Sequence, residues 1–175
     1  MTEPTQAEVW LSVSFDATQI GHQLCWTATE GRTNLLEPYG KFAGSLHLPK
    51  GHGLRVEVHG YGDDHGGREL KSFEILSVCL VTMPSENELP PSPFEHHATA
   101  TVEIKDFPIC HQIIDDPHIG RRYGIATSER PLQIIDQDGA WQISMILTVR
   151  IHDGKGTHVR VFRFDPESQV GNGTR

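Results

Sequence analysis

The chain has 175 residues, 37% of them hydrophobic and 22% charged, which places it among globular single-domain proteins and excludes a disordered polymer. Its formal net charge of −8 argues against a general binder of nucleic acid or of anionic membrane, since both surfaces repel an acidic protein. Cys25, Cys79 and Cys110 are too few, and odd in number, for a disulfide framework.

Residues 1–8 read as a flexible leader with no basic n-region and no long apolar run. No signal peptide or transmembrane helix is predicted, and cytoplasmic residence is the expectation. Val9, Leu11, Val13 and Phe15 then alternate with Trp10, Ser12 and Ser14, the period of a half-buried strand. Residues 22–29 form a second strand, with Leu24, Trp26 and Ala28 on one face. Cys25 and Cys79 lie within apparent strands and are expected to be reduced, buried thiols. Residues 30–39, with Gly31, Asn34 and Pro38, are loop-like. A short strand over 41–48 and a turn over 49–53 lead to another alternating strand through Leu54, Val56 and Val58. Residues 60–69, GYGDDHGGRE, read as a glycine- and aspartate-rich loop. Residues 70–83 are apolar at both parities, which predicts a central strand covered on both faces or a buried helix; Val78, Val81 and Thr82 favour the strand.

Four prolines exclude a helix interior or central strand over residues 84–97. Ala98, Ala100, Val102 and Ile104 alternate with polar residues as a further strand. Residues 106–131 show no sustained period and read as an irregular insertion, with one helical turn near 110–114. A short strand over 132–135 and the turn Asp136-Gln137-Asp138-Gly139 lead into the clearest element of the chain. There Trp141, Ile143, Met145, Leu147, Val149 and Ile151 share one face, and Ile146 is the single apolar exception on the other. Asp153-Gly154-Lys155-Gly156 turns the chain into a return strand. In it Val159 and Val161 take one parity and Phe162 and Phe164 the other, predicting a bulge or a strand covered on both sides. The fold expected over residues 9–166 is all-β, a two-layer antiparallel β-sandwich of jelly-roll type with about eight or nine strands, followed by a tail over 167–175.

Two constellations point to ligands. His59, Asp63 and His65 offer imidazole and carboxylate groups near a strand end, a donor set for a transition metal, although the spacing lacks the close His-x-His pair of cupin-type enzymes. Asp136 and Asp138 open like an oxygen-ligand calcium loop without the closing Glu, and Asp115-Asp116 can add carboxylates if the loops converge. With Trp10 as a stacking platform, these acids suit a calcium- or carbohydrate-binding module. Cys110-His111 suggests a nucleophile and base, but adjacency in sequence is poor support for that pairing. Arg121-Arg122 suits either anion recognition or surface ion pairs.

The C-terminal Val161-Phe162-Arg163-Phe164-Asp165-Pro166-Glu167, followed by Val170-Gly171-Asn172-Gly173, resembles the closing stretch of the AidA/PixA family of bacterial inclusion-body proteins. The long alternating strand and the N-terminal VWLSVSFDA are compatible with that family. The resemblance implies a bacterial, all-β, oligomeric accessory protein; with the weakness of the catalytic signals, the expectation is a non-enzymatic protein that self-associates, with a homodimer as the default. The family supplies no catalytic residues to carry over. The alternatives left by the residues themselves are the calcium or carbohydrate module and a metal-dependent enzyme using the loop histidines.

Overall fold

The computed structural model describes residues 7–36, 46–63, 67–118, 120–137 and 139–165. Most of the leader, the first part of the 41–48 strand, Asp64, His65, Asp138 and the tail from Pro166 onward lie outside these residues.

Twelve strands and no helix make up the described chain. They are β1 (Glu8–Asp16), β2 (Cys25–Glu30), β3 (Thr33–Asn34), β4 (Leu46–Leu48), β5 (Gly53–Asp63), β6 (Ser72–Pro84), β7 (Thr101–Ile104), β8 (Ile114–Asp116), β9 (Arg121–Thr127), β10 (Leu132–Gln133), β11 (Gly139–Asp153) and β12 (Gly156–Phe164). The larger sheet runs β3-β2-β1-β5-β9-β8, with β10 also on β5; the smaller runs β12-β11-β6-β7, with β4 also on β11. All pairs are antiparallel except β1 with β5, which run parallel from Glu8 beside Gly53 to Asp16 beside Tyr61. No helix among the described residues is long and apolar enough to cross a membrane.

The two sheets share one core, the sandwich expected from the alternating pattern. Val9, Leu11, Val13 and Phe15 of β1 are buried, as are all six inward residues of β11 from Trp141 to Ile151. Aromatic rings join the layers: Phe15 stacks on Phe162 at 5.0 Å and meets Phe73 edge-on at 5.4 Å, while Trp26 stacks on Phe164 at 4.5 Å.

Several strands differ from their expected reading, and the causes are physical. The supposed glycine loop at residues 60–63 continues β5, with Gly60 and Gly62 facing inward. A Cβ on Gly60 would lie 2.8 Å from both the Phe15 and Phe73 rings, and one on Gly62 would lie 2.5 Å from the Leu70 Cβ. The supposed insertion at 106–131 contains β8 and β9, and residues 110–114 form no helical turn. Its inward positions are Gly124 and Ala126, because Cys110 and Ile113 fill the space that a Gly124 side chain would need. In both places the alternation is one of size rather than of hydropathy.

The run apolar at both parities is a strand, β6, with an irregularity in its pairing to β11. Thr148 pairs with Ser77 and Val149 with Ile75, so Leu76 is the extra residue of a bulge. Phe73 is buried before it, and Val78 and Leu80 after it, so the bulge moves the inward parity by one. By contrast β12 pairs with β11 without interruption from Gly156 to Phe164. Phe162 and Phe164 are buried, His158 and Arg160 on the same parity are half-buried, and Val159 and Val161 are exposed. Of the two explanations expected for β12, neither the bulge nor the covering on both sides is therefore present in it. The proline-rich segment 84–97 packs closely: Ser92, Pro93 and Phe94 are buried, and the Trp141 indole N–H donates to the Pro90 carbonyl at 3.1 Å. Of the cysteines only Cys110 is buried, whereas Cys25 is exposed and Cys79 half-buried, because both lie on outward faces.

Candidate functional site

Among the described residues, the expected carboxylates Asp115, Asp116 and Asp136 do not converge. Asp115 and Asp116 sit on β8, whose pairing through β9 brings them beside the Asp63 end of β5. Asp136 follows Ile135, whose carbonyl accepts from the Gly51 amide at 3.4 Å, beside the Gly53 end of the same strand. Ten residue steps of β5 separate these ends, about 33 Å at the rise of an extended strand. The carboxylates near Asp63 also have partners already. Asp115 accepts from Arg122 at 2.8 Å, and Asp116 accepts from the His118 amide at 2.9 Å. Arg121 lies 2.5 Å from Asp16 and 3.9 Å from Asp63, so both arginines serve ion pairs. Burial alone would push the Asp16 carboxyl up, but the Thr18 amide and hydroxyl and the Arg121 guanidinium together hold it below its ordinary value.

His59 and Asp63 share the outward face of β5, four residues apart, about 13 Å along the strand. The His59 Nε2 atom lies 2.5 Å from Glu57, and the Ser12 hydroxyl donates to the same carboxylate at 3.5 Å. Ser14 stands beside His59 in register. A hydroxyl, an imidazole and a carboxylate on one face suggest acyl chemistry, but β1 and β5 are each paired on both sides. Their amides therefore lie in the sheet plane, and none projects to stabilise an oxyanion. Among the described residues no group of three His, Cys, Asp or Glu side chains gathers to hold a metal. Trp10 is half-buried on this face, and the Arg55 guanidinium, anchored to Glu8 at 2.6 Å, lies 5.8 Å from its ring centroid. Cys110 and His111 diverge, one buried and one exposed, and burial pushes the Cys110 thiol up, away from the thiolate a nucleophile needs.

The outward face of the smaller sheet is different in kind. Val81 (36% exposed), Met83 (54%), Ile146 (45%), Val159 (54%) and Val161 (48%) all reach solvent from β6, β11 and β12. The pairing places them together. Ile146 is flanked by Arg163 and Cys79, Ser144 by Val81, Gln142 by Met83, and Thr148 by Val161. The central row crosses the sheet as Arg163, Ile146, Cys79 and Glu103, with Glu103 paired to Lys105 at 3.1 Å. Monomeric proteins seldom expose apolar side chains contiguously in this way. Two signs of it are present in the sequence: Ile146 breaks the alternation of β11, and Val159 and Val161 oppose the parity of Phe162 and Phe164. Their adjacency required the strand order. Compared with known protein families, curated proteins and solved structures, the chain gives no match.

Proposed function

We propose that this chain is a non-enzymatic, self-associating β-sandwich protein, an accessory protein of the AidA/PixA type, which pairs with a second copy of itself through the outward face of the smaller sheet. The observation that carries this reading is the apolar stripe centred on Ile146. An isologous pair with its twofold axis along the strands reverses the sheet order of one copy over the other. The Arg163 end of the central row then lies over the Glu103 end of the second copy, where Glu103 is shared with Lys105 at 3.1 Å, so the apolar stripe rather than the charges supports the pairing.

The magnitude fits a reversible assembly. Completing the burial of five side chains that are already about half covered contributes on the order of 1 kcal/mol each, or on the order of 10 kcal/mol over two copies. Association costs about 4–15 kcal/mol, so the dimer is concentration-dependent. Size-exclusion chromatography with light scattering tests this. Wild type is expected to move from monomer to dimer with rising concentration, and I146E to remain monomeric with an unchanged melting temperature. A wild-type monomer at high micromolar concentration, or an I146E dimer of wild-type strength, overturns the reading.

A further inference from the structure

At the end of the sandwich where β12 begins, three segments enclose an open crevice of about 420 Å³. The segment 17–22 after β1, the segment carrying Arg68, and the β11–β12 hairpin form its walls. Arg68, Lys155 and Arg160 line it together with His22 and His158. Among the described residues, the carboxylate in the lining belongs to Asp153, which is 8% exposed. Its Oδ1 accepts from the Lys155 amide at 2.8 Å and the Gly156 amide at 3.1 Å, and its Oδ2 lies 3.9 Å from His158 Nδ1, so its partners are the turn and that imidazole. Three permanent cations thus converge in a molecule whose formal net charge is −8.

The walls are built rather than draped. Arg160 Nη2 donates to the carbonyls of Gln19 at 2.9 Å and Gly21 at 3.3 Å, and its guanidinium lies 5.0 Å over the Phe162 ring. The His22 ring is fixed by its Nδ1, 2.8 Å from the Val161 carbonyl. The Gly154 amide donates to the Glu69 carbonyl at 3.1 Å, and a Cβ on Gly154 would lie 2.5 Å from the Gly67 carbonyl oxygen. The hairpin tip and the Arg68 segment are therefore held in contact. Among the described residues, Arg68 and Lys155 make no ion pair.

We propose that this crevice binds a small multivalent oxyanion of the phosphate class, free or carried on a small organic molecule. Its volume is within the range of small-ligand sites. An anchored guanidinium with two further cations supplies both the directed hydrogen bonds and the charge that a phosphate group requires. The site is separate from the outward face of the smaller sheet and stands independently of self-association.

Isothermal titration at constant ionic strength, with inorganic phosphate, pyrophosphate and glucose 6-phosphate as probes and acetate as control, tests the proposal. Wild type is expected to bind a phosphate probe at one saturable site. The R68A/K155A variant, altered only at exposed side chains, is expected to bind about tenfold more weakly or worse. K105A, which removes an exposed cation just after β7 that is paired with Glu103 and does not line the crevice, is expected to bind like wild type. Tighter binding of glucose 6-phosphate than of inorganic phosphate identifies an organic phosphate, and the reverse order identifies the free ion. Absence of saturable binding, acetate binding of equal strength, or equal affinity in R68A/K155A overturns the proposal.

Discussion

Replacing Gly60 by alanine tests the claim that the end of β5 carries glycine for packing rather than for a turn. Gly60 is buried and faces the core, and a Cβ there would stand 2.8 Å from Phe15 Cζ and from Phe73 Cε1. Neither ring has room to retreat. Phe15 is stacked on Phe162 and meets Phe73 edge-on, and all three are buried. On conformational entropy alone, Gly→Ala at a compatible site stabilises by about 0.4–1 kcal/mol. Overpacking a filled core costs about 1–3 kcal/mol, and here two rings must yield at once, so the upper part of that range applies. The net expectation for G60A is a loss of about 2 kcal/mol, a fall in melting temperature of roughly 4–8 °C for a domain of this size. Urea denaturation monitored by tryptophan fluorescence measures it. Phe73→Leu in the same chain should recover part of the loss, with a coupling of about 1 kcal/mol, because the enlarged and the reduced side chains share one contact. A G60A protein as stable as wild type, or more so, refutes the packing argument.

Two further perturbations probe other parts of the sandwich. D16N removes a carboxylate held below its ordinary pKa by Thr18 and Arg121, so it should cost about 1–2 kcal/mol at pH 7. A depressed folded-state pKa contributes stability that is present above the unfolded value and lost as pH falls through the folded one. The gap between D16N and wild type, read from denaturation midpoints, should therefore close below roughly pH 4, and a gap that stays constant into acid contradicts the assignment. W141F deletes the indole N–H that binds the Pro90 carbonyl and leaves a void at a fully buried position, so a loss of about 2 kcal/mol is expected. Limited proteolysis should then cut first within residues 84–97.

Legibility in the sequence followed side-chain size. Strands β1 and β11 were readable because their inward positions carry Val, Leu, Ile, Phe and Trp, which make a period of two visible. The end of β5 and all of β9 were not, because their inward positions are Gly60, Gly62, Gly124 and Ala126, and the space at the glycines is filled by Phe15, Phe73, Leu70, Cys110 and Ile113. Those neighbours become adjacent only on folding. The double parity of β6 was visible, but a single bulged residue at Leu76 explains it as well as a second covering layer would, and only the register separates the two. The parallel pairing of β1 with β5 joins segments far apart in sequence and leaves no local mark. The ligand candidates show the same division: acidic residue types were readable, whereas the length of β5 that keeps Asp115 and Asp136 apart was not. Ile146 stood out as an exception in its strand, but its place in a stripe with Val81 and Val161 depended on the order β12-β11-β6.

The central claim is that a second copy covers the outward face of the smaller sheet, and the cysteines of the chain allow a direct test. Cys79 lies on that face beside Ile146, Cys25 is exposed on the outward face of the larger sheet, and Cys110 is buried. Maleimide labelling followed by mass spectrometry, repeated over a wide range of protein concentrations, reads the two outer thiols in one sample. Cys79 labelling should slow as the dimer forms, with the concentration dependence seen by light scattering, while Cys25 labelling stays constant. A Cys79 rate independent of concentration, or equal protection of Cys25, would contradict the account.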